Sequence, residues 1–156
     1  MANEVKMTFG SATTAISTTA TVANDEVVGG QTEVDNSTAL YPMATAVINI
    51  ANAFGATPAG PIDLYMVRGD VDSTTDGTAL GYAAKTTSDN IQDPGYLEFV
   101  GQWRPTTDEA YIDTITISLL GVKKAKYYIH NNTGTSLNYS ANAITVKITP
   151  FTFGPS

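Results

Sequence analysis

A chain of 156 residues with 42% hydrophobic content and no cysteine can bury its own core without disulfide or metal staples, and it cannot form thiolate nucleophiles or zinc–thiolate sites. A net charge of −7 and a pI near 4.4 run against broad nucleic-acid binding, which leaves a basic footprint. The charge is also segregated: all fifteen acidic residues lie at or before Asp113, and Lys123, Lys124, Lys126 and Lys147 follow with no acid among them.

Met1-Ala2-Asn3-Glu4 lacks the positive and apolar regions of a signal peptide. No apolar run approaches the ~20 residues of a membrane helix. A soluble product made in a cytoplasm is expected, with no membrane partner.

Threonine occurs 24 times, and Val, Ile, Tyr and Phe recur without helical runs of Glu, Leu and Lys, a strand composition. Val5, Met7 and Phe9 share one face of a first strand, with Lys6 and Thr8 on the other. Residues 1–10 read as an extended arm or edge strand of a single domain over 1–156. Gly29-Gly30 reads as a turn. Ala46, Ile48 and Ile50 alternate after Tyr41-Pro42. Ile62–Val67 is apolar on both faces, as for a strand covered on both sides. Gly55 to Pro61, Asp76-Gly77 and Asp93-Pro94-Gly95 read as further turns.

In Tyr96–Trp103, Leu97, Phe99 and Trp103 share a parity that predicts a core face. Thr106 and Glu109 fit a capping box, but no periodic apolar stretch follows, so a single turn is expected. Ile115, Ile117 and Leu119 alternate with Thr114, Thr116 and Ser118. Gly121 then predicts a hairpin between strands 112–120 and 122–130. Ala125, Tyr127 and Ile129 oppose Lys124, Lys126, Tyr128 and His130. Asn131-Asn132-Thr133-Gly134 turns the chain toward a last strand, where Ile144, Val146 and Ile148 oppose Thr145, Lys147 and Thr149. Seven to nine short strands with this punctuation predict an all-β antiparallel sandwich or jelly roll.

Candidate chemistry is sparse. Asp72 to Gly77 follows the first half of a calcium loop, but Ala83 stands where a bidentate Glu is required, so an acidic surface loop is the preferred reading. Arg68-Gly69-Asp70 spells an adhesion tripeptide that chance supplies easily. The lone histidine, His130, precludes histidine-cluster metal sites, and no G-x-S-x-G elbow supports a triad. Asp25-Glu26 and Asp108-Glu109 are adjacent pairs whose members face opposite ways on a strand, although either could meet a distant carboxylate as in glycosidases. Trp103 could serve as a sugar platform, but its parity favours the core. Asn36-Ser37-Thr38, Asn131-Asn132-Thr133 and Asn138-Tyr139-Ser140 match glycosylation acceptors, which matter only on secretion. No catalytic residue, cofactor or metal is assigned. The feature of choice for partner contact is the stripe Lys124, Lys126, Tyr128 and His130, which points one way from one strand; a solvated face or an edge blunted by lysines is the competing reading.

Several stretches together resemble the capsid decoration, or cement, proteins of tailed bacteriophages. They are the N-terminal strand after Met-Ala-Asn-Glu-Val-Lys, the Asp35-Asn36-Ser37-Thr38-x-Leu40-Tyr41 segment before an apolar strand, and Ile62–Arg68 running into an Asp-rich loop. Tyr96–Val100 and a Lys-Tyr-Tyr-Ile strand ending in His130–Leu137 complete the series. The Asp72–Gly77 loop departs from the Asp-Gly-Thr-Asn form of that family. The resemblance implies a non-enzymatic jelly-roll or β-sandwich protein on the outside of a virion, bound to the major capsid protein and self-associating, commonly as a homotrimer. Contacts would then come from the Lys124–His130 stripe and from Val5, Met7 and Phe9. A tail- or fibre-associated virion module and a carbohydrate-binding module are the alternatives.

Overall fold

The computed structural model describes residues 5–52, 54–69, 85–89, 97–137 and 144–155. They form ten strands: β1 Val5–Phe9, β2 Thr13–Thr18, β3 Val27–Asp35, β4 Met43–Ile50, β5 Ile62–Arg68, β6 Lys85–Asp89, β7 Glu98–Trp103, β8 Tyr111–Ser118, β9 Lys124–Asn131 and β10 Ile144–Pro155. No helix occurs among the described residues. One sheet runs β1-β10-β4-β8, with β2 beside β10; the other runs β6-β3-β9-β5-β7. Every ladder is antiparallel, and the two sheets pack as a β-sandwich.

The core follows the alternation. Ala44, Ala46, Ile48 and Ile50 from β4 and Ile144, Val146 and Ile148 from β10 are fully buried. They meet Ile62, Leu64 and Met66 of β5 and Ala125, Tyr127 and Ile129 of β9 in one cluster. Burying each of the Ile, Leu, Val and Met side chains among them contributes about 1.5–3 kcal/mol. Strand β5 is apolar on its other face as well, because Val67 and Tyr65 join Val27, Leu97 and Tyr128 in a second, smaller cluster.

Among the described residues, no two consecutive strands pair with each other. This corrects the hairpin expected at Gly121: β8 pairs with β4 in the first sheet, and β9 pairs with β3 and β5 in the second. The residues between them climb over the end of the sandwich. Leu119 N–H donates to Pro42 O at 2.8 Å and Val122 N–H to Leu119 O at 2.9 Å. Leu119 and Val122 are buried in the main core, and Gly121 takes the positive φ of 72° that reverses the chain between them. Alternation says which side chains share a face, but a buried strand end looks the same whether the chain folds back in-sheet or crosses to the other layer.

Gly29-Gly30 is also not a turn. Both lie inside β3, which pairs with β9 as Val27↔His130 to Gly29↔Tyr128 and resumes only at Glu33↔Lys126. Three residues of β3 therefore lie opposite Tyr127 alone, a bulge. A Cβ on Gly29 would strike the Tyr127 carbonyl, and one on Gly30 would strike the Tyr128 hydroxyl. The glycines let β3 pass over β9 at this point.

A second irregularity separates the aromatics of β7. Leu64 pairs with Gly101, but Tyr65 pairs with Phe99, so Val100 is skipped. The bulge reverses the parity. Trp103 faces the main core and is 1% exposed, whereas Phe99 is 53% exposed on the opposite side, packed edge-on against Tyr65 at 5.6 Å. Leu97 enters the outer cluster. The shared core face expected for Leu97, Phe99 and Trp103 holds only for Trp103.

Candidate partner-binding surfaces

The outer face of the second sheet carries the Lys124–His130 stripe, and the register shows what surrounds it. Strand β9 is central, between β3 and β5, so lysines blunting an edge is not its role. Across the sheet His130 stands between Val27 and Asp63, Tyr128 between Gly29 and Tyr65, Lys126 between Glu33 and Val67, and Lys124 beside Asp35. Tyr128 is fully buried, closed in by the bulge glycines and the outer cluster. This corrects its place in a contact ribbon: Tyr128 holds the face together and does not present a surface. Lys124 Nζ lies 3.0 Å from Glu33 Oε1, and His130 Nε2 lies 2.9 Å from Asp25 Oδ1. Lys124 is thus paired across strands with Glu33 of β3, and His130 is hydrogen-bonded to Asp25 just before β3.

Around His130 the polar groups converge. Asp25 holds a φ of 69°, a left-handed position that Asp tolerates better than most residues. Its N–H donates to Asn131 O at 2.6 Å, which aims its carboxylate at the imidazole. Asp63, only 9% exposed, faces His130 on one side and Gln102 on the other. With its amide oxygen turned toward Arg104, Gln102 accepts from Arg104 Nη2 and Nε at 3.0 and 3.1 Å.

Burial pushes the Asp63 carboxyl above its ordinary range, opposed by His130, by Arg104 and by a hydrogen bond with Asn132. A carboxyl raised on folding holds its proton longer in the native than in the unfolded state, so its contribution favours the native state at low pH and fades as pH rises through the raised value. Asp63→Asn should erase that slope. The variant's thermal midpoint, relative to the parent, is expected to be higher at neutral pH and to converge on it below the carboxylate range. A difference that does not vary with pH would overturn the assignment. Asp35 and Glu98 act in the opposite sense. The Ser37 hydrogen bonds and the Arg68 guanidinium, respectively, hold their carboxyls down, so their contribution is present above the usual range and is lost as pH falls.

The second surface is the edge of the first sheet. β1 runs beside the end of β10, with Val5↔Pro155, Met7↔Phe153 and Phe9↔Phe151. After Gly10, whose N–H donates to Pro150 O at 2.7 Å, β2 continues along the same edge from Thr13↔Ile148 to Thr18↔Ile144. β1 and β2 are thus one edge broken once. β2 contributes Ala15 and Ile16 to the core, but all five β1 side chains are exposed. Val5 at 74%, Met7 at 42%, Phe9 at 54% and Phe153 at 53% present apolar surface on one side of this ribbon. Phe151 lies between the rings of Phe9 at 5.8 Å and Phe153 at 5.5 Å. The strand parity of Val5, Met7 and Phe9 was legible in the sequence; that this face stays exposed around Phe151 was not.

The other sequence candidates fall out as follows. Trp103 is buried and cannot form a sugar platform. Arg68 forms a two-point pair with Glu98, Nε to Oε2 at 2.7 Å and Nη2 to Oε1 at 2.9 Å. The acidic loop at Asp72–Gly77, weighed against a calcium loop, and the acceptor at Asn138 lie outside the described residues. Thr106–Glu109 forms bends without a helix. Among the described residues, no three His, Cys, Asp or Glu side chains come together as metal ligands. Asn131, read in the sequence only as part of a turn, is fully buried and ties two loops together. Glu33, Asp35 and Asn36 border an open cleft that no sequence motif announced. No family model and no curated protein matches the chain.

Proposed function

We propose that the protein is a non-enzymatic virion component that binds the outside of a phage capsid and stabilises it, as the resemblance to decoration proteins implies. The observation that carries this reading furthest is the β1–β10 ribbon, where Val5, Met7, Phe9 and Phe153 stand exposed along one sheet edge around a buried Phe151. Contiguous exposed apolar surface at a sheet edge marks a place where another chain docks. Repeated copies on a shell would multiply modest contacts into firm attachment. The paired side chains on the outer face of the second sheet favour the ribbon over the lysine stripe as the main contact.

Purified protein added to undecorated heads, followed by sedimentation and by imaging of the particles, tests the reading. Binding at repeated lattice positions is expected, with heads that survive higher temperature. Substituting Val5, Met7 and Phe153 together by Ser should weaken binding about tenfold or more, with a modest fall in thermal midpoint because Met7 and Phe153 are half-buried and Phe153 packs on Phe151. Lys124→Glu/Lys126→Glu should weaken it less. If the parent protein binds no head, or is found on tails alone, the capsid reading fails; if the triple variant binds as the parent does, the ribbon is not the contact.

A further inference from the structure

A cleft of about 580 Å³ opens where the β1–β2 edge passes the end of β3, within the ~300–1,000 Å³ typical of small-molecule sites. One wall is the break in the edge, with Phe9, Ser11 and Thr13; the other is Glu33 and Asp35 at the end of β3 and the turn that follows, with Thr38 and Tyr41.

The turn is held rigidly. Asn36, 4% exposed, donates from Nδ2 to Tyr41 O at 2.9 Å and Val122 O at 3.0 Å, and its Oδ1 accepts from Tyr41 N–H at 2.9 Å. The same residue's N–H donates to Lys123 O at 2.6 Å. Tyr41 therefore stands at a fixed position, its ring against Gly10, where a Cβ would come within 2.8 Å of the ring. A site built this way loses little entropy when it captures a ligand.

The lining chemistry selects among ligands. Two carboxylates repel an anion. A cation is also a poor fit, because Lys124 already occupies Glu33 Oε1 and the Ser37 N–H occupies Asp35 Oδ1 at 2.8 Å. What remains is a pair of oriented acceptors, three hydroxyls that both give and accept, and two aromatic rings. A molecule with hydroxyl donors around an apolar C–H face complements all three. We propose that this cleft binds a neutral saccharide of one or two rings. Adjacent sugar hydroxyls donate to Glu33 and Asp35, Ser11, Thr13 and Thr38 complete the polar contacts, and Phe9 or Tyr41 covers the ring face. The site shares Phe9 with the β1–β10 ribbon but does not rest on what the ribbon binds.

Titration of the full chain with glucose, galactose, mannose, maltose and lactose, followed by amide chemical shifts and calorimetry, tests it, with arginine and inorganic phosphate as charged controls. At least one sugar should bind with a Kd of about 1 mM or tighter, unaffected by salt because the ligand is neutral. Glu33→Gln should weaken binding about tenfold through loss of a charge-assisted hydrogen bond, and Thr38→Val about fivefold. Ile112→Ser, exposed on β8 and outside the cleft, should leave it unchanged. Thermal midpoints of the variants report whether the fold is intact, and the shifted amides should include those of Ser11, Thr38 and Tyr41. The proposal falls if no sugar in the panel shifts these amides, if arginine binds in their place with salt-sensitive affinity, or if both cleft variants bind sugar as the parent does.

Discussion

Asn131→Ala should cost about 3–5 kcal/mol of folding stability, the largest loss expected from removing one polar side chain here. Asn131 is fully buried at the end of β9. Its Nδ2 donates to Val22 O at 2.9 Å, Ala23 O at 3.0 Å and Thr135 O at 2.8 Å. Its Oδ1 accepts from Thr133 N–H at 3.2 Å and Thr133 Oγ1 at 2.7 Å. One amide thereby satisfies the loop before β3 and the loop after β9, where Val22 and Leu137 also form an isolated bridge.

Truncation removes all five hydrogen bonds at once, each worth about 0.5–1.5 kcal/mol net, and leaves Thr133 N–H without its acceptor, while the Val22, Ala23 and Thr135 carbonyls each keep one other donor. Asn131→Asp keeps the shape but replaces the donors with a charge, so it should be no better than the alanine variant. Denaturant unfolding measures both. A loss below about 1 kcal/mol for the alanine variant would mean that solvent takes over the network.

Gly30→Ala should cost about 2–4 kcal/mol, combining left-handed strain with overpacking. Gly30 holds φ at 74°, and its missing side chain makes room for the Tyr128 ring, which is fully buried and cannot swing aside. Gly55 separates the two effects, since it has nearly the same φ, 76°, but nothing within 4 Å of an added Cβ. Gly55→Ala should therefore show the backbone strain alone, about 1 kcal/mol. Adding Tyr128→Phe to Gly30→Ala should recover part of the loss, because the hydroxyl is among the atoms struck. Equal costs at Gly30 and Gly55, measured by denaturant unfolding, would show that the contact with Tyr128 is not what demands glycine there.

The candidate surfaces were readable only in part. Val5, Met7 and Phe9 were placed on one face by alternation, and the register confirms that they align with Phe151 and Phe153. Their exposure depends on β1 running beside the tail of β10, beyond the part of β10 that packs on the core. Lys124 and His130 were placed correctly on one side of β9, but Glu33 and Asp25, their side-chain partners, come from residues about 90 to 105 positions away. The cleft joins the β1–β2 break to the turn after β3. No local pattern links those segments.

By itself the sequence determined that this chain is all-β, that β5 is covered on both faces, and which residues of β4, β8, β9 and β10 turn inward, because a two-residue period maps directly onto the two faces of a strand. It missed β2, β3 and β6, where paired apolar residues, a Gly-Gly bulge and a polar run hide that period. Only the tertiary structure decided which strands pair, that the chain crosses between layers after β8, and that a bulge at Val100 sends Phe99 outward and Trp103 inward. The reason is physical: alternation is a local property of one strand, whereas pairing, bulges and the burial of a given face depend on backbone hydrogen bonds and packing with segments far away in the chain.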